Sequence, residues 1–168
     1  SLTELDARAV YAFNQIRQDL TSVPSPCVSD ATVQGVAGEA RDPRFWRLQL
    51  ASDRMVIPVQ LPTSPGGPLR AARVGYRIDR KDVPTLVRVA GDLAAMDIAA
   101  LPETGVKVAE GVLEMRIEYA GKAPGAEWVS SWSEKTLPRA VRVTLVLFNP
   151  DRPTVQEVRQ AVFPINVG

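Results

Sequence analysis

The hydrophobic period of this chain changes once, at Pro24 and Pro26, and that change limits the folds open to it. Before the prolines, Leu2, Leu5, Ala9, Phe13, Ile16, Leu20 and Val23 recur at steps of three and four residues. That spacing places them on one face of an α-helix. Glu4, Arg8, Asn14, Arg17, Gln18 and Asp19 fall elsewhere on its surface. The pattern predicts an amphipathic helix over residues 2–22, stopped by the two prolines. No N-cap signal precedes it, as expected of a helix cut from a longer one. Its C-terminal half is expected to cover a sheet, and its first turns to be free for a partner.

After Pro26 the period is two. Phe45 to Leu50 alternates, with Trp46, Leu48 and Leu50 on one side. Arg54 to Leu61 is apolar but carries Pro58, so it reads as an edge or bulged strand. Residues 62–68 form a proline- and glycine-rich loop, and Val74–Ile78 pairs as a hairpin with Thr85–Ala90 across the polar turn at Arg80–Asp82. Residues 91–110 are mixed, with Leu93, Met96 and Leu101 in a short helix or an irregular crossing. Leu113, Met115, Ile117 and Tyr119 alternate with Glu114, Arg116 and Glu118, the signature of a half-buried strand. Gly121–Gly125 is a turn, and Trp128–Trp132 a short aromatic-ended segment. The strongest strand is Arg139–Phe148, with Val141, Val143, Leu145 and Leu147 facing one way; Val155–Ile165 returns antiparallel to it after a turn at Asn149–Pro153. Proline, 14 of 168 residues against about 5% in ordinary proteins, fits short strands and loops. No repeat or linker divides the chain, so residues 1–168 read as one α+β domain. In it an N-terminal amphipathic helix packs on antiparallel β-sheets, arranged as two sheets or a partly open barrel.

Composition excludes much chemistry. With no histidine, neither a Ser-His-Asp triad nor a His-ligated zinc site can form. A single cysteine, Cys27, allows no intrachain disulfide. Twenty basic and nineteen acidic residues leave a net charge of +1, which gives no reason to expect nucleic acid as a partner. No phosphate loop, GxGxxG or GxSxG motif is present. Asp79 and Asp82 have Arg80 and Lys81 between them, which suits a solvated turn, and Asp92 and Asp97 have no third ligand near in sequence. Glu114 and Glu118 lie on one strand face about 13 Å apart, beyond the usual spacing of a glycosidase pair. Trp128 and Trp132 would share a face if extended, as a sugar platform requires, but core packing is the favoured reading for at least one. No cofactor and no metal are implied.

The last third of the chain carries a family resemblance. Trp128–Trp132, then Leu137-Pro138-Arg139-Ala140-Val141-Arg142-Val143-Thr144-Leu145, then a hairpin ending Val162-Phe163-Pro164, resembles minor pseudopilin J of type II secretion systems. A related minor pilin, W, shares part of the pattern. The helix containing Phe13–Leu20, the Arg73–Ile78 and Leu86–Arg88 hairpin, and the Gly111–Tyr119 strand follow in the same order, while residues 25–70 and 91–110 match loosely. The resemblance implies a pilin-like fold without catalysis. It implies a periplasmic domain held at the inner membrane of a Gram-negative-type cell by an N-terminal helix outside this sequence. It implies a precursor cut and N-methylated by a prepilin peptidase. Its partners would be minor pseudopilins I and K, with the major pseudopilin as a further contact, at the tip of a short pseudopilus.

If the first turns of the helix meet neighbouring subunits, Leu2, Leu5, Asp6 and Ala9 are the candidate partner-binding residues. Leu2 and Leu5 are apolar for a free helix end, and small Ala9 admits a close helix neighbour. Two other readings stay open: a type IV pilus minor pilin of the same fold, and a non-catalytic ligand-binding β-domain using Trp128 and Trp132.

Overall fold

The computed structural model describes residues 2–24, 32–45, 49–93 and 96–165. A helix, α1 (Leu2–Thr21), is followed by strands β1 (Gln34–Val36), β2 (Glu39–Ala40), β3 (Leu50–Ala51), β4 (Arg54–Pro62), β5 (Leu69–Asp79), β6 (Thr85–Asp92), β7 (Val106–Glu110), β8 (Val112–Ala120), β9 (Trp128–Val129), β10 (Ala140–Asn149) and β11 (Arg152–Pro164). Among these residues the strands form a five-stranded sheet in the order β1-β4-β5-β6-β7, a four-stranded sheet in the order β11-β10-β8-β9, and the small ribbon β2-β3. The pairings within them are antiparallel. The α+β expectation holds, and the two sheets stay open instead of closing into a barrel.

The apolar stripe of α1 serves both sheets. Leu5, Ala9, Ala12, Ile16 and Leu20 are buried in one cluster with Met55, Ile57, Val74 and Val108 of the first sheet and Met115, Ile117, Val143 and Leu145 of the second. Two alanines in the stripe let the helix backbone approach closely. Phe13, expected at the centre of the stripe, sits at its margin instead. Ala12 takes the central position, and the half-buried Phe13 ring packs against Phe163 of β11 at 6.0 Å. The helix stops before the prolines, where the Thr21 and Ser22 hydroxyls join the Ser22 N–H in donating to the Gln18 carbonyl.

Pro58 lies where the strand pattern required. β1 pairs only with residues 54–56 of β4, so β4 is an open edge beyond that point. Gln60, of the same parity as Pro58, sends its N–H outward to the Ser22 carbonyl at 3.3 Å. The missing N–H of Pro58 therefore falls on the open side and breaks no ladder bond. The β5–β6 and β10–β11 hairpins form as expected, and their registers set Tyr76 opposite Arg88 and Val143 opposite Ala161.

Two expectations need correction. Phe45 ends a 3₁₀ turn, Pro43–Phe45, instead of opening a strand; Asp42 holds that turn by accepting the Arg44 N–H. Trp46 and Leu48 lie outside the described residues, and only Leu50–Ala51 is extended. In the mixed region, residues 106–110 form β7, a strand too short for its alternation to be read. The crossing before it contains the short 3₁₀ turn Ile98–Ala100 and covers the outer face of the first sheet, where Met96 and Leu101 pack on Val56 and Val89.

One residue, Gly111, separates β7 from β8 and carries the chain from one sheet to the other. Its φ is +76°, and a Cβ there would lie 2.6 Å from the Phe148 carbonyl, so only glycine fits the crossing. The sheets are stitched again where the Gly35 and Trp132 main chains exchange two hydrogen bonds of 2.9 Å. Buried Asp53 makes a third link, accepting the N–H groups of Gly38 (3.1 Å) and Ile117 (2.8 Å) and so capping the edge of β8.

The packing fixes an order of sensitivity along α1. Ile16→Ala should cost about 2–5 kcal/mol and Phe13→Ala clearly less, because only Ile16 is enclosed on all sides. Urea denaturation of the two variants checks this; a larger loss for Phe13→Ala would show that the helix is rotated from the orientation described.

Candidate functional site

Polar side chains on α1 fix its place on the sheets before any surface is left for a partner. Near its C-terminal end, buried Asp19 accepts two parallel hydrogen bonds from Arg88, at 2.8 and 2.9 Å, and a third from the Tyr76 hydroxyl. Arg88 and Tyr76 are register partners on β6 and β5, so one carboxylate ties the helix to two adjacent strands. The Asp19 hydrogen bonds hold the Arg88 guanidinium above its ordinary pKa; burial, then the Asp19 charge, pushes the Tyr76 hydroxyl well above its own. Near the N-terminal end Arg8 donates from one Nη1 to the carbonyls of Glu110 (2.9 Å) and Phe148 (3.2 Å), straddling the crossing at Gly111. Glu4, one turn earlier, pairs with it at 3.5 Å.

The residues singled out in the sequence do not share an exposed face. Leu5 is 1% exposed and Ala9 3%, both within the shared core. This corrects the expectation that Leu5 and Ala9 stand free: β7, β10 and β11 pack against α1, and the apolar stripe is covered from Leu5 onward. Asp6 is exposed, but it is held by Arg159 of β11, whose Nε donates to it at 2.9 Å. The backbone of Leu2 opens α1, and its side chain lies outside the described residues.

Among the described side chains, the large apolar residues that α1 presents are Val10, 58% exposed, and Tyr11, 59% exposed. Both stand off the buried stripe, and an apolar pair out of phase with the helical period was the available signal for them. Tyr11 borders an open groove of about 560 Å³, together with Glu4, Ala7, Arg8, Val108 and the Asn149–Asp151 turn. Its lining mixes apolar side chains, Tyr11, Val108 and Pro150, with charged ones, Glu4, Arg8, Glu110 and Asp151, a composition suited to a protein neighbour.

The other candidates are tied into the fold. Trp132 is buried against Tyr119 at 6.3 Å and donates its indole N–H to the Thr136 carbonyl at 2.9 Å. Trp128 lies beneath the Arg142 guanidinium, 4.4 Å from its ring centre, on the opposite, outer face of the sheet. The two tryptophans therefore make no common platform, because β9 is only two residues long and the chain turns between them. Glu118 takes a two-pronged pair from Arg142, and Glu114 accepts the Ala51 N–H at 2.8 Å. Asp92 pairs with Arg70, and Asp97 caps the Ile98–Ala100 turn. Cys27 lies outside the described residues. Among those residues no group of three His, Cys, Asp or Glu side chains is placed to hold a metal, and no helix is long and apolar enough to cross a membrane.

The arrangement thus consists of a helix locked at both ends and a narrow exposed flank beside a groove. No protein-family model matches the chain, and no curated protein matches it significantly. Among solved structures it is similar to a type IV-like pilin from Thermus thermophilus, with 10% identity, 95% of this chain and 93% of that chain covered, and a TM-score of 0.52. The fold is pilin-like: one N-terminal helix packed on antiparallel sheets.

Two buried carboxyls give opposite pH dependences. Burial raises the Asp53 pKa above 3.8, so the stability it contributes is full below pH 3.8 and is lost as pH rises through its folded value. The hydrogen bonds from Arg44 lower the Asp42 pKa, so its contribution is present above pH 3.8 and is lost as pH falls through the folded value. Denaturation curves at several pH values should show the stability gap between wild type and Asp53→Asn narrowing from acid to neutral pH, and that for Asp42→Asn widening. A gap independent of pH at position 53 would mean that its carboxyl is not buried as described.

Proposed function

We propose that this domain is a non-catalytic structural subunit of a pilin-type assembly, and specifically a minor pseudopilin of the J type. It would join minor pseudopilins I and K, with the major pseudopilin as a further contact, at the tip of a type II secretion pseudopilus, and help to initiate or cap it. In this reading the domain stands in the periplasm, held at the inner membrane by an apolar helix N-terminal to α1. The observation that carries the proposal is the fold, one helix laid across two open antiparallel sheets, matched over nearly the whole of both chains in the Thermus thermophilus pilin. The J-type assignment draws further support from the Leu137–Leu145 block. Its strand portion belongs to β10, which lies between β8 and β11 with Val141, Val143 and Leu145 in the shared core.

A second reading, a type IV pilus minor pilin, is favoured by the description of that neighbour as type IV-like. Deleting the gene in its host separates the two: loss of protein export with intact pili supports the secretion reading, and loss of pili with normal export supports the other.

The surface offered to partners I and K is the flank of α1 at Tyr11 and the groove beside it. Tyr11→Glu should weaken co-purification with the soluble domains of I and K while leaving the melting temperature unchanged, since the ring is 59% exposed. Leu5→Arg should instead unfold the domain, because Leu5 is enclosed. Absence of any complex between the wild-type domain and either partner would rule out the J-type assignment.

A further inference from the structure

The longest strand, β11, is the outer strand of its sheet among the described residues. The Ile165 N–H bonds to the Arg139 carbonyl across the ladder, and the pairing runs without a shift from Gln156 to Pro164. By the alternation of an antiparallel ladder, the odd-numbered residues then bond to β10, while Gln156, Val158, Gln160 and Val162 turn their N–H and C=O groups outward. The Arg159 guanidinium reaches over to the Val158 carbonyl at 3.0 Å, which places that oxygen on the open side.

Exposed edges of this length are usually guarded by lysine, proline or a bulge. Here Pro153 and Pro164 stand near the ends, the bulge falls beside the turn at Phe148–Asn149, and the outward residues between them are two glutamines and two valines. Val158 is 61% exposed and Val162 49%.

The sequence of this open stretch, Gln156-Glu157-Val158-Arg159-Gln160, is complementary to itself when paired antiparallel. With a two-fold axis at Val158, the valine faces its own copy, Gln156 faces Gln160, and Glu157 faces Arg159 of the other chain, which exchanges its Nη1 bonds to its own Glu157 carboxylate and Val158 carbonyl for the pair across the axis. The axis falls on a residue whose backbone groups point outward, so the central pair exchanges two N–H···O bonds. Shifting the register by one hydrogen-bonded step would set Arg159 against Arg159.

We propose that the partner of this edge is a second copy of the same chain, joined through β11 in that register into one continuous eight-stranded sheet. The two-fold axis stands normal to the sheet, so both α1 helices lie on the same side of it. Asp6, Val10, Phe13 and Arg17 form one flank of α1, and three of them already touch β11: Asp6 at Arg159, Phe13 and Arg17 at Phe163. The fourth, Val10, is the exposed apolar residue on the flank nearest the axis. A two-fold pair is closed and cannot propagate into a polar filament. If the structural-subunit reading holds, the pair is a state of the subunit before assembly; the pairing itself does not rest on that reading.

Sedimentation of the whole chain up to millimolar concentration should show a reversible monomer–dimer equilibrium that weakens with salt. Val158→Pro removes the axial N–H without touching the β10 ladder, and Val158→Lys sets like charges across the axis. Each should weaken association about tenfold or more, with melting curves confirming that the variants fold. In a Cys27→Ser background, Val158→Cys should form a disulfide dimer on mild oxidation. The Cα atoms at the axis lie about 5.5 Å apart, within disulfide reach. Gln160→Cys should remain monomeric, its two copies being roughly 13 Å apart or more. A wild-type chain that stays monomeric at millimolar concentration overturns the proposal. So does a dimer insensitive to both Val158 variants, or cross-linking at position 160 in preference to 158.

Discussion

Two open sheets share one core in this protein because a single helix lies across both. Neither sheet closes on itself, and each would leave an apolar face in water without a cover. The stripe Leu5, Ala9, Ala12, Ile16 and Leu20 supplies that cover to both at once. The stripe alone would tolerate sliding, since apolar contacts are not directional. The polar ties set its position: Asp19 holds two strands of the first sheet, and Arg8 holds one carbonyl of each sheet, Glu110 on β7 and Phe148 on β10. Removing one partner of the buried Asp19–Arg88 pair would strand a charge, so the tie resists change as well as sliding.

Much of this was legible in the sequence because long amphipathic patterns survive into the structure. The helix, the strand from Leu113 to Tyr119 and the β10–β11 hairpin each carry an unbroken period over many residues, and each formed where expected. Features set by contacts distant in sequence were not legible. β7 has five residues and depends on β6 for its identity as a strand. Phe45 was drawn into a turn by Asp42, a local bond that competes with an alternating pattern. The candidate site suffered most. Leu5 and Ala9 looked free because nothing in the sequence says how far the β10–β11 hairpin reaches along the helix. Val10 and Tyr11 were visible only as apolar residues out of phase.

Several polar side chains are turned inward to hold the fold together. Asp19, Asp53 and Arg8 complete main-chain or side-chain partners between elements, Trp132 serves packing and Trp128 a cation stack. The outer surface includes a narrow helix flank beside a groove and the long edge of β11. These lie on different sides of α1, so the proposed contact with other subunits and the proposed pairing of two copies use separate surfaces and can be disabled separately.

The account's central claim is that the two sheets and the helix form one cooperative unit. Native-state hydrogen exchange reads this directly, amide by amide. The protected amides of β5 in the first sheet and β10 in the second should open with the same free energy, and Ile16→Ala should lower both by the same amount. If β10 keeps its protection in that variant while β5 loses it, or the reverse, the sheets fold independently and the helix is an accessory of one of them.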